Sequence, residues 1–332
     1  MNNNIFYGAN AILLPYKKHN YYTEIANKNT ICKVAPYNKG EMVLLPKLMK
    51  DKDSKKYFVE LLEIVSYDTR MACEIPKKTR KFINFLISLQ DKEKPKVFTS
   101  KYNFTYLIFK NGGDDLYEIK NNMIRNRRTY FAKETDYKTK KMCIDLIDGL
   151  KFLHTKSICH FDIKPENITF EPETELFKYI DFGLAEEFPF KTYLQMGPRG
   201  TLEYIPFSTN NLGLLSHFTA LLPYIPCDDW TKGTNGLWNH IHYGNDPSRN
   251  TSHISSSIYK ADVYALGRTL KSIIDTICIY KGCLIKDTSF VKNMLEPKVF
   301  KRLNLLESNI ILPYKIFNID DEEIDSCCCF PF

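Results

Sequence analysis

The residues of this chain best suited to chemistry stand together in Cys159-His160-Phe161-Asp162-Ile163-Lys164-Pro165-Glu166-Asn167, with Asp181-Phe182-Gly183 following shortly after. This text supplies a carboxylate to accept a hydroxyl proton and an ammonium to neutralise a transferring phosphate. It also supplies an amide and a second carboxylate for magnesium, so the set fits phosphoryl transfer. Such groups work only if the chain holds them still. Upstream, Met142, Leu146 and Leu150 recur at helical spacing with Cys143, Ile147 and Leu153 beside them, which predicts an amphipathic helix ending near His154 to Ser157. Downstream, Ile168 to Phe170 and Leu176 to Ile180 read as two short strands with a turn over Glu171 to Glu175.

With Phe161 standing where Arg is usual, these motifs resemble the catalytic loop and DFG motif of eukaryotic-type protein kinases. Gly200-Thr201-Leu202-Glu203-Tyr204-Ile205-Pro206 resembles the end of that family's activation segment, although Phe207 replaces its final Glu. Tyr259-Lys260-Ala261-Asp262 through Gly267 resembles the start of the central helix of its large lobe. The resemblance runs roughly from Ile5 to Leu306. It implies an α+β bilobal protein-kinase fold, with a small antiparallel β-sheet lobe carrying helix C over residues 1–113. A larger, mainly helical lobe follows over residues 114–332, with an insertion at about 207–257.

The same resemblance implies roles. Asp162 and Lys164 become the catalytic residues, Asn167 and Asp181 the metal ligands, and Asp262 a structural anchor that accepts hydrogen bonds from the catalytic-loop backbone. Thr201 is expected near Asp162 and Lys164. ATP and Mg2+ are the implied cofactors, and Lys164-Pro165-Glu166 points to serine and threonine hydroxyls of protein substrates. Without an Arg before Asp162, the partner that usually neutralises an activation-segment phosphate is missing, so turnover is expected not to require that phosphate.

In the small lobe, Gly8 is the one glycine in the region Ile5 to Leu14, where kinases fold a glycine-rich loop over the nucleotide phosphates. Lys33, in the β-branched run Thr30 to Ala35, is the expected strand lysine, and Glu41 its carboxylate partner on helix C. Their short separation, with Tyr7-Gly8, Pro15 and Cys32-Lys33, resembles serine/threonine kinases encoded by large DNA viruses of eukaryotes. Lys55 to Ile64 and Phe104 to Lys110 read as strands, and Leu107 to Gly113 as the hinge that meets adenine. Two rival readings differ in class. A pseudokinase acting as a nucleotide-binding or scaffolding module fits the sparse glycine loop and the missing Glu. A small-molecule phosphotransferase would not be expected to keep Lys164, DFG and GTxxY together.

Composition narrows the classes further. The net charge of +7 arises from 46 basic and 39 acidic residues spread along the chain, which reads as a mixed solvated surface, and no nucleic-acid partner is expected. The longest apolar stretch, Leu212 to Ile225, carries Ser216, His217 and Pro223, so no membrane partner is expected either. Ten cysteines occur without a CxxC pair or a leader pattern at Met1 to Gly8, which predicts reduced thiols in a cytoplasm, a host cytoplasm or virion if the chain is viral; zinc is not indicated. Cys327-Cys328-Cys329 is a candidate for lipidation that lacks a basic neighbour. The sequence leaves the oligomeric state open.

Overall fold

The β-branched run from Thr30 and the aromatic run Phe104 to Lys110, both read as strands, pair with each other along their whole length. In the computed structural model, which describes residues 6–7, 12–15, 30–36, 39–66, 104–127, 129–187, 201–204, 251–296 and 301–318, the chain divides into two compact units, Met1–Gly112 and Gly113–Phe332. The first contains a five-stranded antiparallel sheet in the order β1-β2-β3-β5-β4. Its strands are β1 (Phe6–Tyr7), β2 (Ile12–Pro15), β3 (Thr30–Pro36), β4 (Leu61–Ser66) and β5 (Phe104–Lys110). Lys33 lies in the centre of this sheet, opposite Leu13 on one side and Leu107 on the other.

Between β3 and β4 the chain forms a turn of π-helix, Gly40–Leu44, that continues into α1 (Leu45–Met49). Pro46 explains the widened turn. It has no N–H to give the Met42 carbonyl and its ring crowds that carbonyl, so the ladder opens and the Leu45 N–H reaches back to Gly40. Glu41, Leu44, Leu45 and Leu48 fall on one stripe, and all four are buried. A carboxylate thus shares the apolar face of the element expected as helix C.

One expected strand is corrected. Lys55 to Ile64 does not run extended: Ser54–Tyr57 forms a helical turn, α2, and the strand begins only at Leu61. The Ser54 hydroxyl donates to the Asp51 carbonyl and Asp51 accepts the Asp53 N–H, local bonds that compete with an extended backbone. Phe58 is then fully buried after the turn.

The second unit opens at Gly113, where φ is +82° and an added Cβ would stand 2.1 Å from the Phe170 carbonyl oxygen, so only glycine fits. Next come β6 (Asp114–Asp115), α3 (Leu116–Ile124) and α4 (Thr135–Thr155). Asp115 caps α3 by accepting the Glu118 N–H. The helix α4 stops where the sequence pattern stops, and Met142, Cys143, Leu146, Ile147, Leu150 and Leu153 are its buried face.

Beyond α4 lie β7 (Ile158–Cys159), β8 (Ile168–Glu171), β9 (Leu176–Tyr179) and β10 (Glu186–Glu187), which form the ladders β6-β8-β9 and β7-β10. The Tyr179 hydroxyl donates to the Leu146 carbonyl at 2.6 Å, and Asp145 accepts the Phe177 N–H at 3.1 Å, so α4 and β9 are joined on both sides of the loop between them.

A long helix, α5, spans Thr251–Lys281. It starts earlier than the expected Tyr259, and residues 251–257, read as the end of an insertion, belong to it. Their Ser, Thr and His run has weak intrinsic helix preference and no apolar period, so nothing local marks the extra turns. The rest of that insertion lies outside the described residues, as do Gly8, Phe207 and the Cys327 triplet.

Buried Val263, Leu266, Leu270, Ile273, Ile274 and Ile277 make α5 the axis of this unit's core. At Gly267 it lets α6 (Ser289–Met294) approach closely, since a Cβ there would meet that of Met294 at 2.8 Å. Two-residue strands β11 (Leu284–Ile285) and β12 (Phe317–Asn318) pair beyond it. Among the described residues no helix is long and apolar enough to cross a membrane.

Candidate active site

The loop from Cys159 to Asn167 is held from below by one carboxylate. Asp262, 1 % exposed on α5, accepts the His160 N–H at 2.7 Å and the Phe161 N–H at 2.8 Å, and it meets Nε2 of His154 at 3.2 Å. Phe161 sits at φ +64°, a left-handed conformation unfavourable for a side chain of its size, and its bond to Asp262 offsets that cost. His160 is fully buried. Its Nε2 lies 3.0 Å from the Ile180 carbonyl, and its Nδ1 takes the Asp162 N–H at 3.3 Å. The loop is therefore tied to α5 on one side and to the end of β9 on the other.

Asp162, so fixed, is the hub of the polar groups above it. Its Oδ1 accepts the hydroxyl of Thr201 at 2.7 Å and the Thr201 N–H at 3.1 Å. Its Oδ2 takes the Asn167 amide at 2.9 Å and the Lys164 ammonium at 3.0 Å. Lys164 Nζ also donates to the Thr201 hydroxyl at 2.8 Å, closing a triangle of carboxylate, ammonium and hydroxyl. Asn167 donates a second time, to the Asp162 carbonyl at 2.8 Å. Both bonds use the amide nitrogen, which turns the amide oxygen away from Asp162.

Asp181 follows β9 at φ +61° and ψ +75° and caps a short 3-10 turn, Phe182–Leu184, by accepting the Gly183 N–H at 3.2 Å. Phe182 is buried against His160, with ring centroids 5.0 Å apart. The backbone of Asn167 accepts the Ile180 N–H at 3.0 Å, so the chain carrying Asp181 is pinned beside the residue expected to share its metal role. A carboxylate and an amide oxygen on adjacent, anchored segments are the oxygen donors that magnesium takes.

In the first unit, Lys33 and Glu41 make an ion pair of 2.6 Å with side chains 10 % and 1 % exposed. Sheet and helix are thus bridged by a charge pair withdrawn from water.

His154 had no assigned role in the sequence. Its signal is its place at the end of α4, one turn before the loop, where it reaches Asp262 and packs tilted against the Tyr259 ring with centroids 4.8 Å apart. His154, Cys159 and Asp262 bring possible ligand atoms within 4.8 Å of one another. The cluster fits loop anchoring, because both Asp262 oxygens are committed to backbone N–H groups. Burial first, and then the Asp262 charge, raise the Cys159 thiol well above its ordinary range, which keeps it protonated.

Sheet, helix and loop order, with this loop at the end of α4 and its anchor on α5, define the α+β protein-kinase fold. Comparison with known proteins agrees: residues 96–207 match the family model of the protein kinase domain. Cyclin-dependent kinase G1 of Arabidopsis thaliana is 35 % identical over 96 residues, covering 28 % of this chain and 14 % of that protein. Mitogen-activated protein kinase KSS1 of Saccharomyces cerevisiae is 31 % identical over 158 residues, covering 47 % and 38 %. A probable serine/threonine-protein kinase, cdc7 of Dictyostelium discoideum, is 37 % identical over 62 residues, covering 19 % and 6 %. The chain spans well under half the length of these curated relatives.

Proposed function

We propose that this chain is an ATP-dependent serine/threonine protein kinase that transfers the γ-phosphate to protein hydroxyl groups. The observation that carries this reading is the Asp162 carboxylate, oriented on both oxygens by Asn167, Lys164 and Thr201. In that role Asp162 aligns the substrate hydroxyl and accepts its proton, and Lys164 neutralises charge on the transferring phosphoryl group. Thr201 sets the spacing of these two groups by bonding both. Lys33, braced by Glu41, provides a further ammonium for the phosphate chain. Asn167 and Asp181 would hold magnesium, which supplies Lewis-acid neutralisation of the phosphates when bound.

Finer parts of the proposal rest on the sequence. Lys164-Pro165-Glu166 supports serine and threonine over tyrosine, and the serine/threonine kinases named among the relatives are consistent with it. Phe161 in place of Arg supports turnover that is independent of activation-segment phosphorylation. The eight-residue interval from Lys33 to Glu41 supports the narrower likeness to viral kinases. The free thiols of Cys32, Cys143, Cys159, Cys278 and Cys283 are consistent with a reducing, cytoplasmic location.

The test is transfer of labelled γ-phosphate from ATP to generic protein substrates, wild type against Asp162→Asn and Asp181→Ala. Loss of signal in both variants, with label on serine and threonine in the wild type, is expected. Equal signals from all three proteins would remove the enzyme reading.

A further inference from the structure

The far end of α5 carries a device that phosphate transfer does not use. The Cys283 N–H donates to the Cys278 carbonyl at 3.1 Å, and the Gly282 N–H donates to the Ile279 carbonyl at 3.2 Å. Gly282 between them is at φ +62°. This double closure around a left-handed glycine is the Schellman ending of a helix, in which the first and sixth residues of the turn usually touch through apolar side chains. Here both are cysteines. The Cys278 thiol donates to the Cys283 carbonyl. Burial, and then the neighbouring Cys278 thiol, push the Cys283 thiol up to about 11. Both are free and only part-buried, whereas Cys143 and Cys159 are sealed in the core.

We propose that Cys278 and Cys283 form a thiol–disulfide site that closes intramolecularly under oxidising conditions and staples the end of α5. A disulfide needs Cα atoms about 4.4–6.8 Å apart. A turn closed by a hydrogen bond from its sixth residue to its first brings the backbones of those residues together.

With a disulfide such as oxidised glutathione as the oxidant, one protein thiolate attacks a glutathione sulfur. A mixed disulfide forms and the first glutathione leaves. The second protein thiolate then attacks the protein sulfur of that mixed disulfide and expels the second glutathione. Two electrons pass from the cysteine pair to the oxidant, and the two thiol protons end on the released glutathiones.

A raised Cys283 thiol leaves little Cys283 thiolate at neutral pH, so its own attack in the exchange quickens as pH rises. The staple acts on the base of the β11–β12 ladder, since β11 starts at Leu284 and β12 is held in turn by Asp136 of α4, which accepts the Ile316 and Phe317 N–H groups. Asp262 lies about 24 Å away along the same helix, so the catalytic loop is not part of the device.

The experiment uses the full chain equilibrated in glutathione buffers of graded ratio, quenched with acid, alkylated with N-ethylmaleimide and digested with trypsin. Cleavage after Lys281 falls between the two cysteines, so a closed disulfide joins peptide Ser272–Lys281 to peptide Gly282–Lys286. The joined pair is expected to grow with oxidation, to vanish with dithiothreitol and to be absent from Cys283→Ser. Gly282→Ala, strained at this backbone angle, should lower the joined fraction at a fixed ratio by about fivefold. Both cysteines alkylated at every ratio, each carrying glutathione unlinked, or pairing with other cysteines would overturn the proposal.

Discussion

Replacing Lys33 by Met tests the phosphate-binding role proposed for it, but it should also destabilise the first unit. Glu41 is 0 % exposed and its carboxylate lies 2.6 Å from the Lys33 ammonium. Taking away the ammonium leaves a negative charge in a low-dielectric face shared with Leu44, Leu45 and Leu48, a loss of about 3–5 kcal/mol. Glu41→Leu removes the carboxylate that holds the Lys33 ammonium at 2.6 Å and should cost a similar amount. Lys33→Met with Glu41→Leu removes both charges, and such paired replacements fall near neutral.

The double-mutant cycle should therefore show a coupling of about 6 kcal/mol or more, because two single losses of about 3–5 kcal/mol nearly vanish in the double, beyond the usual range for contacting residues. Because water is excluded, 1 M salt should barely change it, whereas the exposed Lys55–Glu60 pair, with side chains 56 % and 31 % exposed, should be screened. The assay is urea denaturation followed by hydrogen exchange of the β3 amides, which reports on the unit holding the pair. Phosphate transfer should stay low in all three variants even where the double replacement restores stability. Single effects that sum to the double within about 0.5 kcal/mol would refute the buried-pair argument.

Asp262→Ala should cost about 3–5 kcal/mol in urea unfolding, because two buried N–H groups lose their acceptor; a loss below about 1 kcal/mol would show that the loop holds its shape without α5. Thr201→Val should slow phosphate transfer about 10- to 100-fold while Thr201→Ser stays near wild type, since the shared hydroxyl and not the backbone N–H spaces Lys164 from Asp162. Similar rates for the two variants would contradict that role.

For Asp115, burial raises the carboxyl to about 6 from an unfolded value near 3.8, so the folded state binds this proton more tightly than the unfolded chain. Its contribution is therefore present at low pH and declines as pH rises from about 4 to about 6, by roughly 1 kcal/mol once solvent screening is allowed for. Asp115→Asn keeps the cap to the Glu118 N–H and should remove that decline; identical pH slopes in unfolding experiments would place the titration elsewhere.

Sequence alone determined which groups the candidate site could offer and the elements whose signal is local. Asp162, Lys164 and Asn167 lie within one loop, so their types and spacing survive any folding detail, and the four-residue apolar recurrence of α4 fixed where that loop begins. The two strands between Asn167 and Asp181 were legible for the same reason, through the turn between Glu171 and Glu175.

Other features became plain only in the folded structure, and those that rest on distant partners were decided by tertiary structure alone. The side chains of Ser54 and Asp51 turned an apparent strand into α2, and Pro46 widened the turn that carries Glu41. Residues with no apolar period became the start of α5, and His154 gained its role only because α5 brings Asp262 beneath it. The first two follow from hydrogen bonding within one short segment that apolar periodicity does not report, and the last from a partner that only the folded chain brings near. Periodicity reports how a segment meets a surface, but a buried carboxylate such as Asp262 or Glu41 is set by partners distant in the chain or across a turn, and only the folded arrangement brings them within bonding distance.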